Sequence, residues 1–406
     1  MRYQKPNLFF YRIAQAVSWL AATVIFRRQI LRNEIKGKKG PFVVIANHQA
    51  ALDFVNLIGA TARPMTFVIS NSFYSTLPIK GFLDKMGVIP KQQFQTSVKD
   101  LKRIKAVIDR GEPVVIYPAG LMCEDGLSTP IPAATYKLLQ WLGVDVYIAK
   151  TTGTYFVMPK WAKGFRPGRT YLDIRLLFSK EDLEALDPSK IRELTQQALR
   201  FDAYREQDQY QIKYLHARRI EGLENVLYQC PNCMTEFSMG VRDHSTLCCS
   251  SCGYEQVSDQ YGFLHNQKGV GPELRYVSDW SSMISRKLEA DIVSGSVTGL
   301  SLPCQVRMID PKKHKFTAVG SGTLAIDKEH ISLTGQIHGQ EQHLQVSVAS
   351  LPSLPFSPGK YLELQHGCHI YRCYPDDGRL VMKCINLLKI FHTMYRAKLP
   401  EPAAQK

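Results

Sequence analysis

The sequence predicts three parts: an α/β domain preceded by a hydrophobic helix, a small cysteine-rich module, and a mostly antiparallel β domain closed by a C-terminal helix. Three observations predict this arrangement. Residues 41–46 are a continuous apolar run that leads into a helical pattern, two C-x-x-C pairs follow mid-chain, and apolar and polar residues alternate from Cys304 onward. The 406 residues are enough for two or three domains with sizeable cores.

The charge distribution separates the first part from the rest. Residues 1–220 contain 33 Lys+Arg against 18 Asp+Glu, whereas residues 221–406 contain 18 of each. All of the net charge of +15 therefore lies in the first part and indicates an anionic partner. The predicted parts are the N-terminal helix (1–40), the α/β domain (41–220), the cysteine module (221–265), and a helix plus β domain (266–406).

The N-terminal helix is predicted from Leu8 to Phe26, a 19-residue hydrophobic segment interrupted by Arg12, Gln15 and Ser18. Nineteen residues are near the minimum for a bilayer span. The polar positions suggest one weakly polar face, so an in-plane or re-entrant helix fits better than a full span. A buried core helix is the alternative. A signal peptide is disfavoured because no small-residue cleavage site follows. We therefore expect membrane association.

His48 and Asp53 form the first candidate site. They follow residues 41–46, which we predict as a buried strand, and lie at the start of a helix predicted over 52–58. Residues five apart differ by about 140° around a regular helix, so the two side chains meet only if His48 lies in the loop. A carboxylate so placed keeps one imidazole nitrogen protonated and leaves the other free as a general base. The alternative is a loop histidine beside an acidic helix start.

The segment from His48 to Asp53 resembles the signature of the glycerolipid acyltransferases, the lysophosphatidic acid acyltransferase or PlsC-like family. Three later blocks follow in the family's order. Residues 86–91 resemble its Gly-x-Ile-Pro block ending in a basic residue, residues 113–120 resemble a strand running into Pro-Glu-Gly, and residues 144–150 resemble the next buried strand. The resemblance covers about half of the chain.

This resemblance implies acyl transfer from acyl-CoA or acyl carrier protein to a lysophospholipid hydroxyl, with lysophosphatidic acid as the first acceptor and phosphatidic acid as the product. It implies His48 as the base and Asp53 as its partner, and no catalytic cofactor. The residues assigned to substrate binding on the same grounds are Asn47, Lys91, Pro118 and Gly120.

Two departures from the family pattern concern the third block. Ala119 stands where the family usually has glutamate, and the family's arginine is missing because Leu121 and Met122 follow Gly120. The cation of the second block is Lys91, which binds phosphate as a point charge without the bidentate fork of arginine. An alternative therefore stays open: a catalytically altered lipid-binding or membrane scaffold protein with the same fold.

The cysteine module contains two C-x-x-C pairs, Cys230 with Cys233 and Cys249 with Cys252, separated by fifteen residues. Two such turns supply a tetrahedral set of four sulfurs, so we predict a structural Zn²⁺ in a zinc ribbon. Cys248 could substitute for Cys249, but only Cys249 preserves the two-residue gap. A disulfide or redox pair is the alternative. Zinc thiolates need a reducing compartment, which favours the cytoplasmic face.

Nucleic-acid binding by this ribbon is not expected. Between Tyr228 and Leu264 the only lysine or arginine is Arg242, against four acidic residues. Phosphate backbones require clustered lysine and arginine. A structural clip or protein-docking module is the favoured interpretation.

The C-terminal part begins with a helical apolar spacing over residues 274–293. Alternating segments separated by turn residues then predict an antiparallel sheet, and a final helix is predicted over about 381–395. Strands closed by one amphipathic helix resemble a PH-like domain in topology, without a residue motif.

Overall fold

The computed structural model describes residues 5–77, 79–94, 97–310, 312–367 and 369–398. The chain forms two compact units. The first runs from the N-terminus to Arg219 and also includes Asp259–Phe263; the second contains Ile220–Ser258 and the chain from Leu264 onward.

The first unit contains a seven-stranded sheet. Its strands in chain order are β1 Arg28–Asn33, β2 Val43–Ala46, β3 Thr66–Ser70, β4 Ile89–Lys91, β5 Val114–Ile116, β6 Val146–Thr152 and β7 Thr170–Phe178. The spatial order is β1-β7-β6-β2-β5-β3-β4, and every neighbouring pair is parallel except β6 with β7. The predicted α/β class is confirmed. The carboxyl ends of β2 to β6 therefore share one edge of the sheet, where open α/β folds bind ligands.

Helices cover both faces of this sheet. They are α1 Leu8–Val24, α2 Asp53–Ile58, α3 Asn71–Thr76, α4 Lys80–Lys85, α5 Val98–Asp109, α6 Ala134–Leu142, α7 Thr154–Val157, α8 Lys180–Ala185, α9 Pro188–Leu199 and α10 Ala203–Tyr210. Strand β2 is buried throughout and alternates between two cores: Val44 and Ala46 join one apolar cluster, and Val43 and Ile45 join the other. Burial on both faces explains why residues 41–46 lack any polar alternation.

Helix α1 packs on α2 through one face and exposes the opposite one. Tyr11, Ala14 and Ser18 are buried, and the Gln15 amide donates to the carbonyl of Thr61 at 2.9 Å. Gln15 and Ser18 thus lie toward the domain, while the exposed side is mostly apolar and also carries Arg12 and Thr23. The buried-core alternative is wrong because about half of this helix is exposed. In the described part of the chain, no helix has the length and apolarity required to cross a bilayer.

The second unit begins with the cysteine module, a four-stranded antiparallel sheet in the order β11-β10-β9-β8. Its strands are β8 Met239–Arg242, β9 Thr246–Cys249, β10 Glu255–Ser258 and β11 Leu264–His265. Strand β10 directly follows the second cysteine pair, whereas a single bridge between Gln229 and Glu236 encloses the first pair.

A seven-stranded antiparallel sheet and two helices complete this unit, which confirms the predicted antiparallel sheet and closing helix. The elements are α11 Val277–Val293, β12 Leu300–Asp310, β13 Lys315–Ile326, β14 His330–Ile337, β15 Gln340–Ser347, β16 Phe356–Ser357, β17 Tyr361–His366, β18 His369–Pro375 and α12 Leu380–Lys398. The strand order is β15-β14-β13-β12-β18-β17-β16. The PH-like interpretation remains a prediction.

Trp280 on α11 joins this helix to the cysteine module. Its side chain is fully buried, its indole N–H donates to the carbonyl of Gln229 at 2.9 Å, and its ring meets Tyr254 edge-on. The core of the second unit therefore includes residues of the cysteine module.

Replacing this anchor should destabilise the second unit. We expect Trp280→Ala to lower the free energy of unfolding by about 3–5 kcal/mol, because a large buried side chain and its hydrogen bond are lost. Urea unfolding followed by far-UV circular dichroism measures the change. Val293→Ala on the same helix is the control, since Val293 is 74% exposed; equal losses in both variants would contradict the assignment.

Candidate active site and metal centre

The His48 and Asp53 side chains meet at the carboxyl end of β2. His48 lies in the loop after the strand, Asp53 begins α2, and the imidazole Nδ1 is 3.0 Å from the carboxylate Oδ2. The Asp53 side chain is completely buried, whereas 20% of the His48 side chain is exposed. The geometry is the one expected for a loop histidine facing a carboxylate in the first helical turn.

The Asp53 carboxylate fixes both the loop and the histidine tautomer. Its Oδ2 accepts the backbone N–H groups of Gln49 at 2.7 Å and Ala50 at 2.9 Å. Because an ionised carboxylate only accepts hydrogen bonds, His48 Nδ1 must carry the proton in this contact. Its Nε2 is then left with a free lone pair, as a general base requires.

Asn47 holds the start of this loop against β6. Its amide donates to the carbonyl of Thr151 at 2.8 Å and accepts the Thr151 N–H at 2.8 Å. The two strands pair as far as Ala46 and Ala149, so the side chain continues the ladder beyond the strand. Asn47 is 3% exposed. These contacts describe loop positioning, and its assignment to substrate binding stays a prediction.

Gln49 holds the middle of the loop against the start of α7 and was missed in the sequence. Its side chain is fully buried, and Oε1 accepts the Thr154 hydroxyl at 3.1 Å and the Tyr155 N–H at 3.2 Å. No periodic pattern distinguishes a buried loop glutamine from an exposed one. The only available signal was its position inside the His48–Asp53 segment.

Residues that follow β5 contact both the ring and the backbone of His48. The Tyr117 and His48 rings lie 4.6 Å apart, and the Cys123 N–H donates to the His48 carbonyl at 3.3 Å. Burial raises the pKa of the Tyr117 phenol and of the Cys123 thiol well above their ordinary values. Both groups therefore stay neutral near pH 7, which disfavours Cys123 as a nucleophile.

The remaining predicted site residues lie at the same edge of the sheet. Pro118 and Gly120 form the turn after β5, with Gly120 at φ +70°, and Lys91 ends β4. The Lys91 ammonium donates to the carbonyl of Gln92 at 3.1 Å. Burial lowers the pKa of Lys91, and the charge of Asp100 opposes that effect. Substrate contact by these three residues stays a prediction.

The four predicted cysteine ligands converge in the second unit. All four sulfurs of Cys230, Cys233, Cys249 and Cys252 lie within 4.8 Å of one another. Cys248 is outside the set, and its sulfur lies 3.7 Å from the Gly240 carbonyl. The cluster therefore contains Cys249 and leaves Cys248 out, and its four thiols can hold a metal ion.

Metal content tests this site. We expect Cys230→Ser to abolish or strongly reduce the metal bound by the purified protein, because a hydroxyl is a poor replacement for a thiolate ligand. Elemental analysis of the full chain measures the metal-to-protein ratio. Cys248→Ser is the matched control and should keep the wild-type ratio; loss in that variant as well would place the site elsewhere.

Part of the first unit is similar to proteins of a known family. Residues 27–157 match the Acyltransferase family model. The chloroplastic 1-acyl-sn-glycerol-3-phosphate acyltransferase BAT2 of Brassica napus is 26% identical over 143 residues, which are 34% of this chain and 40% of the relative. The chain thus spans less than half of that curated relative.

Two solved structures are similar at lower levels. The 1-acyl-sn-glycerophosphate acyltransferase PlsC of Thermotoga maritima shares 18% identity with a TM-score of 0.41, over 47% of this chain and 76% of that one. The Ran binding domain of Nup2 from Ashbya gossypii shares 14% identity with a TM-score of 0.19, over 23% and 94% respectively. Both scores lie below 0.5, so neither establishes a shared fold.

Proposed function

We propose that this chain, whose residues 27–157 match the Acyltransferase family model, is a PlsC-like glycerolipid acyltransferase that transfers a fatty acyl group to a lysophospholipid hydroxyl. Lysophosphatidic acid is the first candidate acceptor, and acyl-CoA or acyl carrier protein is the donor. The observation that carries the proposal is the 3.0 Å contact of His48 Nδ1 with buried Asp53 Oδ2, at the ligand-binding edge of the sheet.

The chain's own groups account for the proton movements of such a transfer. His48 Nε2 takes the proton of the acceptor hydroxyl while that oxygen attacks the thioester carbonyl. The new ester C–O bond forms, the C–S bond breaks, and the imidazolium returns its proton to the departing thiolate. Asp53 stabilises the imidazolium and keeps the ring oriented. General-base assistance of this kind contributes about 10²–10⁴-fold to the rate.

Acceptor recognition is proposed to involve Lys91. Strands β2 and β4 are separated by β5 and β3, so their carboxyl ends lie about 14 Å apart at a strand spacing of about 4.8 Å. An elongated acceptor can therefore place its hydroxyl near His48 and its phosphate toward Lys91. The third block has Ala119 and Leu121 and lacks the glutamate and arginine of the family. We therefore propose that a single ammonium group, that of Lys91, binds the phosphate of the acceptor.

Loss of acyl transfer on removing the base tests the enzyme. We expect His48→Ala and Asp53→Asn each to lower kcat by about 10²–10⁴-fold, because the base or its orienting partner is lost. Product formation from labelled acyl-CoA and a panel of lysolipids is the measurement. Asp109→Asn, on the exposed end of α5, is the control for the Asp53 change.

The same measurement separates the enzyme from its alternative. A lipid-binding or scaffold protein with this fold would bind lysolipid or membrane without forming product. Wild-type activity in His48→Ala would contradict the proposed base, and absence of product with every acceptor in the wild type would favour the scaffold.

We further propose that α1 places this unit on an anionic membrane surface, at the cytoplasmic face. Its exposed face carries Phe9, Val17, Leu20 and Val24, with Trp19 beside them. Such a face fits an in-plane helix whose apolar side enters the headgroup region. The excess of basic residues in 1–220 adds attraction to anionic lipid, about 1 kcal/mol for each one close to the surface. A cluster of four thiols fits the reducing cytoplasmic side.

A charge placed on this face should weaken vesicle binding. We expect Val17→Glu to reduce flotation with phosphatidic-acid-containing vesicles at least tenfold, since a carboxylate must enter an apolar, anionic interface. Val98→Glu is the matched control, because Val98 of α5 is 66% exposed and Val17 is 64% exposed. Equal binding of both variants, or equal loss, would contradict the role of α1.

For the four cysteines we propose structural zinc. A tetrahedral ion with Zn–S bonds of about 2.3 Å separates its sulfurs by about 3.8 Å. The sulfurs of Cys230 and Cys252, and those of Cys233 and Cys249, are each 3.7 Å apart.

The cysteine module also contacts the C-terminal helix. Within the second unit Lys383 of α12 pairs with Glu236. The contact supports the interpretation of the module as a clip for the C-terminal helix.

A further inference from the structure

We infer that the turn Asp259–Phe263 is a positioning element of the candidate active site, acting through Phe156 and Gln49 on the loop that holds His48. This turn is part of the first unit, although it lies forty residues beyond Arg219 in the sequence. Only the kinetic test of this inference, the measurement of kcat and KM, rests on the proposed function.

The turn is stiff because it is closed by its own hydrogen bonds. The Asp259 carboxylate accepts the N–H groups of Tyr261 at 2.8 Å and Phe263 at 2.9 Å. The Asp259 N–H in turn donates to the carbonyl of Phe263 at 2.9 Å. Gly262, at φ +86°, occupies the left-handed region between them. A turn closed in this way can transmit a displacement instead of absorbing it.

Two hydrogen bonds from buried residues of the first unit hold this turn in place. The Tyr214 N–H donates to the carbonyl of Gln260 at 2.8 Å, and the Gln207 amide donates to the carbonyl of Tyr261 at 2.9 Å. The ring of Tyr214 packs closely on Gly168, since a Cβ atom added at Gly168 would lie 2.2 Å from that ring. The anchoring groups therefore have little freedom to move.

Gly262 packs directly on the ring of Phe156 in α7. A Cβ atom at position 262 would lie 2.7 Å from that ring, well inside any normal contact. Phe156 is 3% exposed, and the rings of Tyr204 and Tyr214 enclose it at centroid distances of 5.0 and 5.2 Å. With neighbours on these sides, the ring can make room only by shifting α7.

Two consecutive hydrogen bonds connect α7 to the loop that holds His48, so a shift of α7 would displace this loop. Tyr155, next to Phe156, donates its N–H to Gln49 Oε1 at 3.2 Å. The Gln49 N–H then donates to Asp53 Oδ2 at 2.7 Å, the same oxygen that holds His48. Gly262 is thus connected to the His48–Asp53 contact through a continuous series of buried groups.

The experiment compares two glycine-to-alanine variants of the full chain. Gly262→Ala drives a methyl group into Phe156, whereas Gly269→Ala has a similar backbone strain, at φ +65°, with nothing within 4 Å of the added carbon. We expect Gly262→Ala to lower kcat about tenfold with KM values for both substrates within about twofold, because displacement of the base affects chemistry more than binding. Gly269→Ala should match the wild type.

Hydrogen exchange supplies a readout that is independent of activity. The amides of Gln49 and Ala50 should exchange at least tenfold faster in Gly262→Ala than in Gly269→Ala, because their bonds to Asp53 are loosened. Adding Phe156→Leu to Gly262→Ala should restore kcat to the level of Phe156→Leu alone, since the smaller side chain leaves room for the methyl group.

Unchanged exchange at Gln49 and Ala50 in Gly262→Ala would overturn the inference, and so would equal effects of the two glycine variants. If the wild type transfers no acyl group, the proposed function fails while the exchange result still decides the positioning role.

Discussion

The geometry of the candidate active site depends on one oxygen atom, Asp53 Oδ2. It accepts three hydrogen bonds, from the imidazole of His48 and from the backbone N–H groups of Gln49 and Ala50. A buried carboxylate is costly unless its charge is compensated by donors. The same donors that offset this cost also determine the path of the loop, so the histidine cannot be oriented correctly unless the loop is folded. The orientation of His48 and the local stability of the loop therefore have a common origin.

Much of the fold could be predicted from local patterns. The apolar run at 41–46 identifies a strand buried on both faces, because β2 alternates between two cores. The alternation after Cys304 identifies half-buried antiparallel strands, and the C-x-x-C spacing selects Cys249 over Cys248, whose sulfur lies outside the cluster of four. In each case the information lies within a few residues of the element concerned.

The parts that could not be predicted depend on residues distant in sequence. Gln49 is buried only because Thr154 and Tyr155 reach it from a helix about a hundred positions later. Gly262 contacts Phe156 across a similar separation. The polar residues of α1 signalled an amphipathic helix, but the sequence could not show that Gln15 would bind the carbonyl of Thr61 and turn the apolar face outward. Such contacts are determined by tertiary packing and leave no periodic signal.

The placement of Asp259–Phe263 in the first unit has a consequence for synthesis. Strand β1, at the start of the chain, pairs with β7, so the sheet cannot close until residues 170–178 have left the ribosome. The turn at 259–263 emerges later still, after all four clustered cysteines. At about 5–20 residues per second, the 44 residues that separate Arg219 from Phe263 take about 2–9 s to make. During that interval α1 is already available to a membrane. The packing around Phe156 is still incomplete, because Gly262 has not yet been added to the chain.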